Sequence, residues 1–520
     1  MAEMVKLFVN GQEVEVESGK NLIDALKAVG IEIPHFCYHP ALGADGNCRM
    51  CLVGIEDGRP PLVPACKTPA LEGMKVLLDA EHIKKIQRDV LEFELINHPI
   101  DCPVCDQAGE CSLQDYYMNY SLDDSRMEVA PVTKAKRLDF GCGVVHDQER
   151  CVLCGRCVRF TRQITRTGEL GIVNRTDAAR VAIFPGKPLN NRYALNIVEI
   201  CPVGAMTSQD FRFKQRVWFL KKDPGICHGC STGCNIYIDH HREKYKDDVI
   251  YRYRARTNLE VNGYFICDEG RLSYKQENDN RQTAAIVDGA EVSLADGISA
   301  VRERLDQARK PLMLISPDCT LEQMWAVKRI ATLYGSELSG YSDNYVIAGD
   351  GDDYLIKDDK AANRQGLALL EIDAGREQFI TALQNTDLLV NFNNDLFFGG
   401  IDEELAGLLA KTQSIAICSH VREVYGSASI TLPAASYSEY GGTIVNHDSV
   451  LQRFAKAVYK NQDPPDILEI TRLLGGAIDD AARAWPGIRQ SVKVLSGVEP
   501  DAIPAQGLKL KDSEESHVGA

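Results

Sequence analysis

The sequence contains no long apolar run and little positive charge. No uninterrupted apolar stretch reaches the roughly 18 residues that a membrane-spanning helix needs, and no basic segment followed by an apolar core opens the chain, so neither a membrane span nor a secretory signal is expected. The 58 Lys and Arg against 74 Asp and Glu leave a formal net charge of −16. Binding to nucleic acid or to anionic lipid normally requires a basic face, so both are disfavoured.

The common nucleotide-binding and hydrolytic motifs are also missing. The sequence has no G-x-G-x-x-G, no G-x4-G-K-[ST] and no H-E-x-x-H. We therefore expect the chain to bind neither NAD nor flavin, and we assign it no catalytic residue of its own.

Cysteine, in contrast, is abundant. The 520 residues include 18 cysteines, and all but Cys319 and Cys418 lie within the first 267 positions. Disulfide scaffolds are usually short and secreted, whereas this chain is long and has the character of a cytosolic protein. The cysteines also cluster at ligand spacing, which favours metal ligation by thiolates.

The first group has the spacing C-x10-C-x2-C-x14-C and consists of Cys37, Cys48, Cys51 and Cys66. Upstream, Lys6–Val9 and Glu13–Val16, joined by Asn10-Gly11, predict a β-hairpin, and a helix capped by Asn21 follows. A short strand is predicted at Leu52–Ile55. This order is typical of plant-type ferredoxins, which hold [2Fe–2S], although the first interval is longer than theirs. A structural zinc site is the alternative.

The second group has the spacing H-x3-C-x2-C-x5-C and consists of His98, Cys102, Cys105 and Cys111. Apolar residues from Ile83 to Phe93 recur at helical spacing, so a helix is expected to deliver the histidine. One imidazole and three thiolates also suit zinc, and this group taken alone leaves zinc and iron open. If iron binds, the neutral imidazole should raise the cluster potential.

The third group is the run Cys151, Cys154 and Cys157 with the remote dipeptide Cys201-Pro202. C-x2-C-x2-C followed by a distant C-P is the pattern of bacterial ferredoxins, in which these cysteines hold a cubane cluster. Arg156 and Arg159 lie beside the run. They would either offset the negative charge of the cluster or simply be solvated.

The fourth group has the spacing C-x2-C-x3-C-x32-C and consists of Cys227, Cys230, Cys234 and Cys267. The spacing resembles the [4Fe–4S] domain that opens molybdopterin oxidoreductases, and Trp218, Gly225 and Gly233 fit that resemblance, while zinc remains possible for this group in isolation. Cys142, Cys319 and Cys418 are left over, and we expect them to be small buried or neutral side chains.

Strands and helices alternate in the second half, which predicts a parallel α/β sheet. The main predicted features are a polar linker Lys275–Gln282, strands at Pro311–Ser316, Asp387–Phe392 and Ser414–Cys418, a helix whose capping box pairs Thr320 with Gln323, a helix near Glu404–Ala410, a surface loop Ser342–Asp359, and a mobile tail beyond Trp485.

From Val5 to Phe454 the chain resembles the large iron–sulfur subunits of respiratory NADH:quinone oxidoreductase (complex I). The resemblance rests on these strings: His35-Phe36-Cys37-Tyr38-His39-Pro40, Asn47-Cys48-Arg49-Met50-Cys51, His98-Pro99-Ile100-Asp101-Cys102-Pro103-Val104-Cys105, Cys154-Gly155-Arg156-Cys157-Val158-Arg159-Phe160, Cys201-Pro202-Val203-Gly204-Ala205, and Leu432-Pro433-Ala434-Ala435 with Gly442-Thr443.

The resemblance implies an α+β and α/β multidomain architecture. Its expected parts are a β-grasp [2Fe–2S] ferredoxin-like domain (1–80), a [4Fe–4S] domain with one histidine and three cysteine ligands (81–140), a [4Fe–4S] ferredoxin-like segment (141–215), a molybdopterin-oxidoreductase-type [4Fe–4S] domain (216–274), a degenerate parallel α/β domain (284–494) and a tail (495–520). The chain is short for the family, and the shortfall lies in the α/β part, so a complete pterin-binding fold is not expected.

The resemblance also implies one [2Fe–2S] cluster on the first group, [4Fe–4S] clusters on the other three, and no molybdopterin. Electrons would pass from the first group to the third and then the second, with the fourth off the main path. The implied partners are the flavin- and NADH-binding subunit with its small [2Fe–2S] partner, the subunit with two further [4Fe–4S] clusters, and the quinone-site subunits. The implied location is cytoplasmic, in the peripheral part of a membrane-bound complex.

Three alternatives remain. The first is the molybdenum-dependent catalytic subunit of an NAD-linked formate dehydrogenase, which typically has C-x-K-G-R at its last cluster cysteine. This chain has Cys267-Asp268-Glu269-Gly270-Arg271, and the two carboxylates would disfavour an anionic pterin. The second is the electron-transfer subunit of an NAD-linked hydrogenase, which generally lacks an α/β domain. The third is a binding module braced by four zinc ions.

Overall fold

The computed structural model describes residues 3–510 except 57, 59–60, 121–124, 127, 129, 401 and 479, and these residues divide into two compact units, 1–220 and 221–520. The first unit contains the elements β1 (Met4–Val9), β2 (Gln12–Glu17), α1 (Leu22–Lys27), β3 (Leu52–Ile55), β4 (Leu62–Pro64), β5 (Lys75–Leu77), α2 (Glu81–Leu95), α3 (Ser112–Tyr120), β6 (Leu138–Gly141), β7 (Val144–His146), α4 (Arg156–Gln163), β8 (Leu170–Val173), β9 (Arg180–Ile183), α5 (Asn196–Ile200) and β10 (Met206–Ser208).

The N-terminal part of the first unit is a five-stranded sheet in the order β2-β1-β5-β3-β4, packed against α1. The predicted hairpin is present, with Asn10 and Gly11 both at positive φ in its turn. Asn21 caps α1 by accepting from the backbone N–H of Asp24, and the strand predicted at Leu52–Ile55 forms as expected. Leu7, Leu22 and other apolar residues of this part are fully buried, so the sheet is a rigid support for the loop that follows α1.

The second unit contains the remaining elements, which are β11 (Lys221–Ile226), β12 (Asn235–Arg242), β13 (Asp248–Ala255), α6 (Asp268–Leu272), α7 (Tyr274–Asn278), β14 (Ala285–Val287), β15 (Ala290–Val292), α8 (Leu294–Gln307), β16 (Pro311–Ile315), α9 (Leu321–Leu333), β17 (Glu337–Ser339), α10 (Arg364–Leu369), α11 (Arg376–Asn385), β18 (Leu388–Phe392), α12 (Glu403–Leu409), β19 (Ser414–Cys418), β20 (Ile430–Pro433), β21 (Gly442–Val445), β22 (Val450–Phe454), α13 (Ile467–Leu473), α14 (Ala481–Ser491) and β23 (Leu508–Lys509).

The parallel α/β sheet predicted for the second half is confirmed. Its seven strands run in the order β15-β14-β20-β19-β18-β16-β17. All neighbours from β20 to β17 are parallel, whereas the hairpin β14–β15 adds an antiparallel edge. The capping box of Thr320 and Gln323 is present at the start of α9. The central strands β16 and β18 are fully buried because helices cover both faces of the sheet.

Three predictions for the second half need correction. The predicted linker Lys275–Gln282 includes most of helix α7, and Arg281 forms an ion pair with the buried carboxylate of Glu439. The predicted surface loop Ser342–Asp359 is a loop and is largely exposed over 346–354, but it buries Leu355 and Ile356 near its end. The segment beyond Trp485, predicted as a mobile tail, contains the end of α14 and the strand β23, which pairs with β22. Each of these segments is polar in sequence but is held by tertiary contacts. The last part of the tail, 511–520, lies outside the described residues.

Candidate iron–sulfur sites

The first group of cysteines lies in a loop held by the N-terminal sheet. Cys51 directly precedes β3 and Cys66 lies in a short turn after β4, where the backbone N–H of Ala65 donates to the carbonyl of Cys51 at 2.9 Å. The thiol of Cys37 contacts the thiols of Cys48 and Cys66, and the thiol of Cys51 also contacts that of Cys66. The structure therefore gathers all four predicted side chains.

The first site favours negative charge on two of its sulfurs. Hydrogen bonds from the thiols of Cys48 and Cys66, and from the backbone N–H groups of Gly46 and Cys48, lower the pKa of Cys37. A hydrogen bond from Cys66 lowers the pKa of Cys51 in the same way. Donating these bonds raises the pKa of Cys48 and Cys66. Thiolates are the form that ligates metal, so the chemistry of this loop fits a metal cluster.

The second site is formed by the turn after α2 and the start of α3. His98 lies three residues beyond the end of α2, and Cys111 directly precedes α3. Burial, and then the charge of Arg150, lower the pKa of His98 to about 4. The Nδ1 atom of His98 is buried without a hydrogen-bond partner among the described residues. The imidazole is thus neutral at physiological pH, as a metal ligand must be.

The absence of a side chain at Gly204 leaves room for the sulfur of Cys105 at the second site. A Cβ atom added at Gly204 would stand 2.5 Å from the Sγ of Cys105. Burial raises the pKa of the Cys105 thiol and raises that of Cys111 to about 11. Thiols held in this way lose their protons when a metal supplies compensating positive charge. Glycine at position 204 keeps the sulfur of Cys105 accessible to such a metal.

The third site combines a tight loop with two short helices. Leu153 and Gly155 both have positive φ angles. The loop Cys151–Gly155 leads directly into α4, which carries Cys157, while Cys201 follows α5. Burial raises the pKa of Cys154 to about 12 and also raises that of Cys201, whose sulfur receives backbone N–H groups from the residues that follow it. Such N–H groups are among the features that set the potential of an iron–sulfur cluster.

Two arginines join the third site to the first. Arg156 donates to the carbonyl of Tyr38 at 2.6 Å and to that of Ile200 at 3.0 Å. Arg159 donates to the carbonyls of Leu42 and Gly43, both at 3.0 Å, and also to that of Cys37. Neither arginine is simply solvated, so that interpretation was wrong: both fix α4 against the loop of the first site.

The third site is also joined to the second. The backbone N–H of Ser112, which follows Cys111, donates to the carbonyl of Pro202, which follows Cys201, at 2.9 Å. Apolar side chains surround both sites in one continuous cluster that includes Leu113. The third site therefore lies against each of the other two sites of the first unit.

The fourth site lies in the second unit, at the ends of β11 and β12. The backbone N–H of Cys227 donates to the carbonyl of Cys234 at 2.7 Å. Cys267 caps α6, and its sulfur accepts from the N–H of Gly270 at 3.3 Å. A Cβ atom at Gly270 would stand 2.8 Å from the Sγ of Cys227, so this glycine leaves room beside two sulfurs. Burial raises the pKa of Cys267 to about 12.

The loop predicted at the surface covers the fourth site. The backbone N–H of Ser231 donates to the carbonyl of Asp359 at 2.9 Å, and the hydroxyl of Thr232 donates to the carbonyl of Leu355. The ring of His228 stacks on that of Tyr437, with ring centroids 4.2 Å apart. None of these contacts could be inferred from ligand spacing, because they depend on how distant segments pack.

The three remaining cysteines lie outside the four groups. Cys319 and Cys418 are fully buried, as expected, whereas Cys142 is exposed and its sulfur lies 3.2 Å from the carbonyl oxygen of Leu189. Across the residues that the structure describes, no three His, Cys, Asp or Glu side chains meet at the spacing that a single metal ion requires. The assignment of ligands thus rests on the sequence groups and on how each loop gathers them.

Each of the four groups falls within a separate known iron–sulfur family. Residues 2–80 match a 2Fe-2S iron-sulfur cluster binding domain, and 87–126 match the NADH-ubiquinone oxidoreductase-G iron-sulfur binding region. Residues 141–207 match the ferredoxin-like domain of NADH-quinone oxidoreductase subunit 3, and 220–279 match the molybdopterin oxidoreductase Fe4S4 domain. These matches, with the mixed α and β fold, confirm the predicted fold class, which is a multidomain α and β architecture built from iron–sulfur domains.

Curated relatives make the resemblance more specific. The chain is 40% identical over 272 residues to the NADH-ubiquinone oxidoreductase 75 kDa subunit of Reclinomonas americana, a match that covers 52% of this chain and 38% of the relative. It is 36% identical over 346 residues to the mitochondrial NADH dehydrogenase [ubiquinone] iron-sulfur protein 1 of Solanum tuberosum. This match covers 64% of this chain and 45% of the relative. The resemblance to the large iron–sulfur subunit of NADH:quinone oxidoreductase is therefore confirmed.

The matches with curated relatives are partial in length. In those just described the chain spans less than half of the relative. Among solved structures, a chain of an NAD+-reducing [NiFe]-hydrogenase is 27% identical with a TM-score of 0.37, covering 41% of this chain and 91% of that one. No helix within the described ranges is both long and apolar enough to span a membrane.

Proposed function

We propose that this chain carries single electrons within an NADH:quinone oxidoreductase, from the subunit that oxidises NADH toward the quinone. Iron–sulfur clusters, when bound, accept and release one electron at a time. The chain itself contributes the loops that hold them and, in our proposal, no independent catalytic site. The observation that carries this proposal is the continuous contact of three cysteine sites within one unit.

The proposed ligands follow the four sequence groups. A [2Fe–2S] cluster is assigned to Cys37, Cys48, Cys51 and Cys66, and three [4Fe–4S] clusters are assigned to His98, Cys102, Cys105 and Cys111; to Cys151, Cys154, Cys157 and Cys201; and to Cys227, Cys230, Cys234 and Cys267. The family matches support the cluster types, and the buried thiols and adjacent glycines support the sets.

We propose the order first site, third site, second site for the electron. Arg156 and Arg159 hold the third site against the first, and the Ser112–Pro202 hydrogen bond holds it against the second. These contacts support a central position for the third site. The fourth site lies in the other compact unit, and we assign it no step on this path.

The partners and location of the chain are proposed from its relatives. Electrons would enter from a flavin- and NADH-binding subunit with its small [2Fe–2S] partner. They would leave to a subunit with two [4Fe–4S] clusters near the quinone-site subunits. The chain would then lie in the peripheral arm of a membrane-bound complex, on its cytoplasmic side, with no contact to nucleic acid.

The formate dehydrogenase alternative is less well supported. It requires an anionic pterin near the last cysteine of the fourth group, where this chain has Asp268 and Glu269 in place of the typical lysine. We propose that the chain binds no molybdopterin. Stoichiometric molybdenum in the purified protein would favour the alternative.

The proposed function can be tested on the complex purified from its native host. We expect iron and acid-labile sulfide in equal amounts, and reduction should produce distinct electron paramagnetic resonance (EPR) signals for one [2Fe–2S] and three [4Fe–4S] clusters in this chain. Zinc in place of iron would contradict the proposal. So would clusters that NADH fails to reduce in the intact complex.

A further inference from the structure

A buried arginine lies beside the second site and belongs to none of the four cysteine groups. Arg150 is only 6% exposed. Its Nη1 atom donates to Asp147 at 2.7 Å, and its Nη2 atom donates to Asp101 at 2.7 Å. Two carboxylates therefore hold the two terminal nitrogens in a fixed orientation. Such double pairing is the usual condition for keeping a charged group away from water.

The same side chain lies near the sulfur of Cys105. The position that a Cβ of Gly204 would occupy is 2.5 Å from the Sγ of Cys105 and 3.4 Å from the Cδ of Arg150, so this single point nearly touches both. Burial raises the pKa of Cys105, while the N–H of Gln107 and then the charge of Arg150 act in the opposite direction. The arginine is thus close enough to act on this sulfur.

One donor of Arg150 remains free. Its Nε–H is buried and has no hydrogen-bond partner in the described parts of the chain, although both terminal nitrogens are paired. A buried donor without an acceptor is destabilising, so such groups are rare unless a bound group satisfies them. The free donor belongs to the same side chain that lies beside Cys105.

We propose that Arg150 is a positioning residue that sets the reduction potential of the cluster at the second site, with its fixed charge near Cys105 and its free Nε–H available to a sulfur atom of that cluster. This inference rests on the proposed function, because it requires a [4Fe–4S] cluster at this site. Asp101 and Asp147 are the members of the set that hold the arginine in place.

The sign of the effect follows from charge. Reduction adds an electron to the cluster, and a nearby cation stabilises the added negative charge, which raises the potential. Removing the cation also exposes the cluster to Asp101 and Asp147, whose negative charges oppose reduction. Lys136 lies 3.8 Å from Asp101 but its side chain is half exposed, so solvent screens it and it cannot replace Arg150.

The test is an EPR-monitored redox titration of the intact complex carrying Arg150→Met. The midpoint potential of the second cluster should shift to lower values, while that of the first cluster stays unchanged. Arg126→Met is the matched control, because Arg126 is an exposed arginine that also pairs with two carboxylates. The control should shift neither potential. Arg150→Lys keeps the positive charge, so it should lower the midpoint potential less than Arg150→Met does.

A second variant should shift the midpoint potential of the second cluster in the opposite direction. It tests the inference even if Arg150→Met does not assemble the cluster. Asp147→Asn removes a negative charge but keeps a side chain of the same shape, so it should raise the potential of the second cluster. The inference is overturned if the cluster assembles in both variants with its potential unchanged, or if Asp147→Asn lowers it. If the unmodified complex shows no cluster signal at the second site, the proposed function itself fails.

Discussion

Ser112 and Pro202 are joined by a backbone hydrogen bond of 2.9 Å, and each directly follows a cysteine of a different site. The bond ties the start of α3 to the loop after α5, so the second and third sites cannot separate without breaking it. Electron transfer between two clusters requires a short and fixed distance. The hydrogen bond joins the residues that follow Cys111 and Cys201, so it helps to fix the distance between these two sites. This relationship is the basis for treating the third site as central.

Loss of the third site should interrupt the path at its middle. Cys154→Ala removes one ligand of this site, and we expect the third cluster to be absent and NADH-dependent quinone reduction to fall to background. NADH oxidation by an artificial acceptor that reacts at the flavin should be retained, because in our proposal the flavin is bound by a different subunit. Both rates are measured on the purified complex.

Cys418→Ala is the control for that experiment. Cys418 is fully buried in β19 and belongs to none of the four groups, so the variant should assemble all clusters and keep normal quinone reduction. Quinone reduction that persists in Cys154→Ala would contradict the central role of the third site.

The proposed histidine ligand should give the second cluster a reduction potential different from those of the others. His98→Cys replaces a neutral imidazole with a thiolate, which adds one negative charge next to the iron. If the cluster assembles, its midpoint potential should fall relative to the unmodified complex in an EPR-monitored titration. The third cluster, whose ligands are unchanged, serves as the internal reference. An unchanged or raised potential would show that His98 is not a ligand.

Ligand spacing predicts the four groups, and the ligand sets stay a prediction. The first hairpin, the strand at Leu52–Ile55 and the parallel sheet were predicted correctly. These features are local: a turn dipeptide, a cap or a run of apolar residues determines each of them. The bond from Arg150 to Asp101 spans 49 positions and that from Arg159 to Gly43 spans 116. No local pattern marks either partner, so the sequence offered only solvation or charge compensation as interpretations of Arg159.

The prediction of a surface loop at Ser342–Asp359 failed only at its buried end, where polar backbone groups are satisfied inside the fold. The loop Ser342–Asp359 is rich in Asp and Gly, yet the carbonyl of Leu355 accepts a hydrogen bond from Thr232 beside the fourth site. Predicting this would require knowing that the loop lies next to that site. The signal available in sequence was the pair Leu355-Ile356, which is apolar within an otherwise polar stretch.

A methyl group at position 204 should disturb the second site specifically. The Cβ of Gly204→Ala would lie 2.5 Å from the sulfur of Cys105, closer than real contacts allow, so Cys105 must move. Overpacking of this kind typically costs about 1–3 kcal/mol. We expect the second cluster signal to be lost or broadened, with the first and third signals retained, as measured by EPR of the reduced complex.

Gly171→Ala provides the matched control for this glycine substitution. A Cβ at Gly171 meets no atom within 4 Å, and its φ angle is not in the left-handed region. This variant should keep every cluster signal. Equal effects of the two substitutions would mean that the space beside Cys105 is not needed for the cluster.

His240 should make a pH-dependent contribution to the free energy of unfolding of the second unit. Its Nδ1 lies 2.8 Å from Asp248 and its Nε2 lies 2.7 Å from Asp223. Burial disfavours the charged imidazole, but the hydrogen bonds to Asp248 and Asp223 outweigh it and raise the pKa of His240 above 6.5. A raised pKa means that protonation stabilises the folded state, so this contribution is complete below pH 6.5 and is lost as the pH rises through the folded-state pKa.

His240→Gln should therefore lower the thermal unfolding temperature most at about pH 6 and progressively less above neutrality, measured by calorimetry of the purified protein. His82→Gln, at an exposed histidine of α2, should lower it little at any pH. A penalty for His240→Gln that grows with pH would show that the imidazole is neutral in the folded protein.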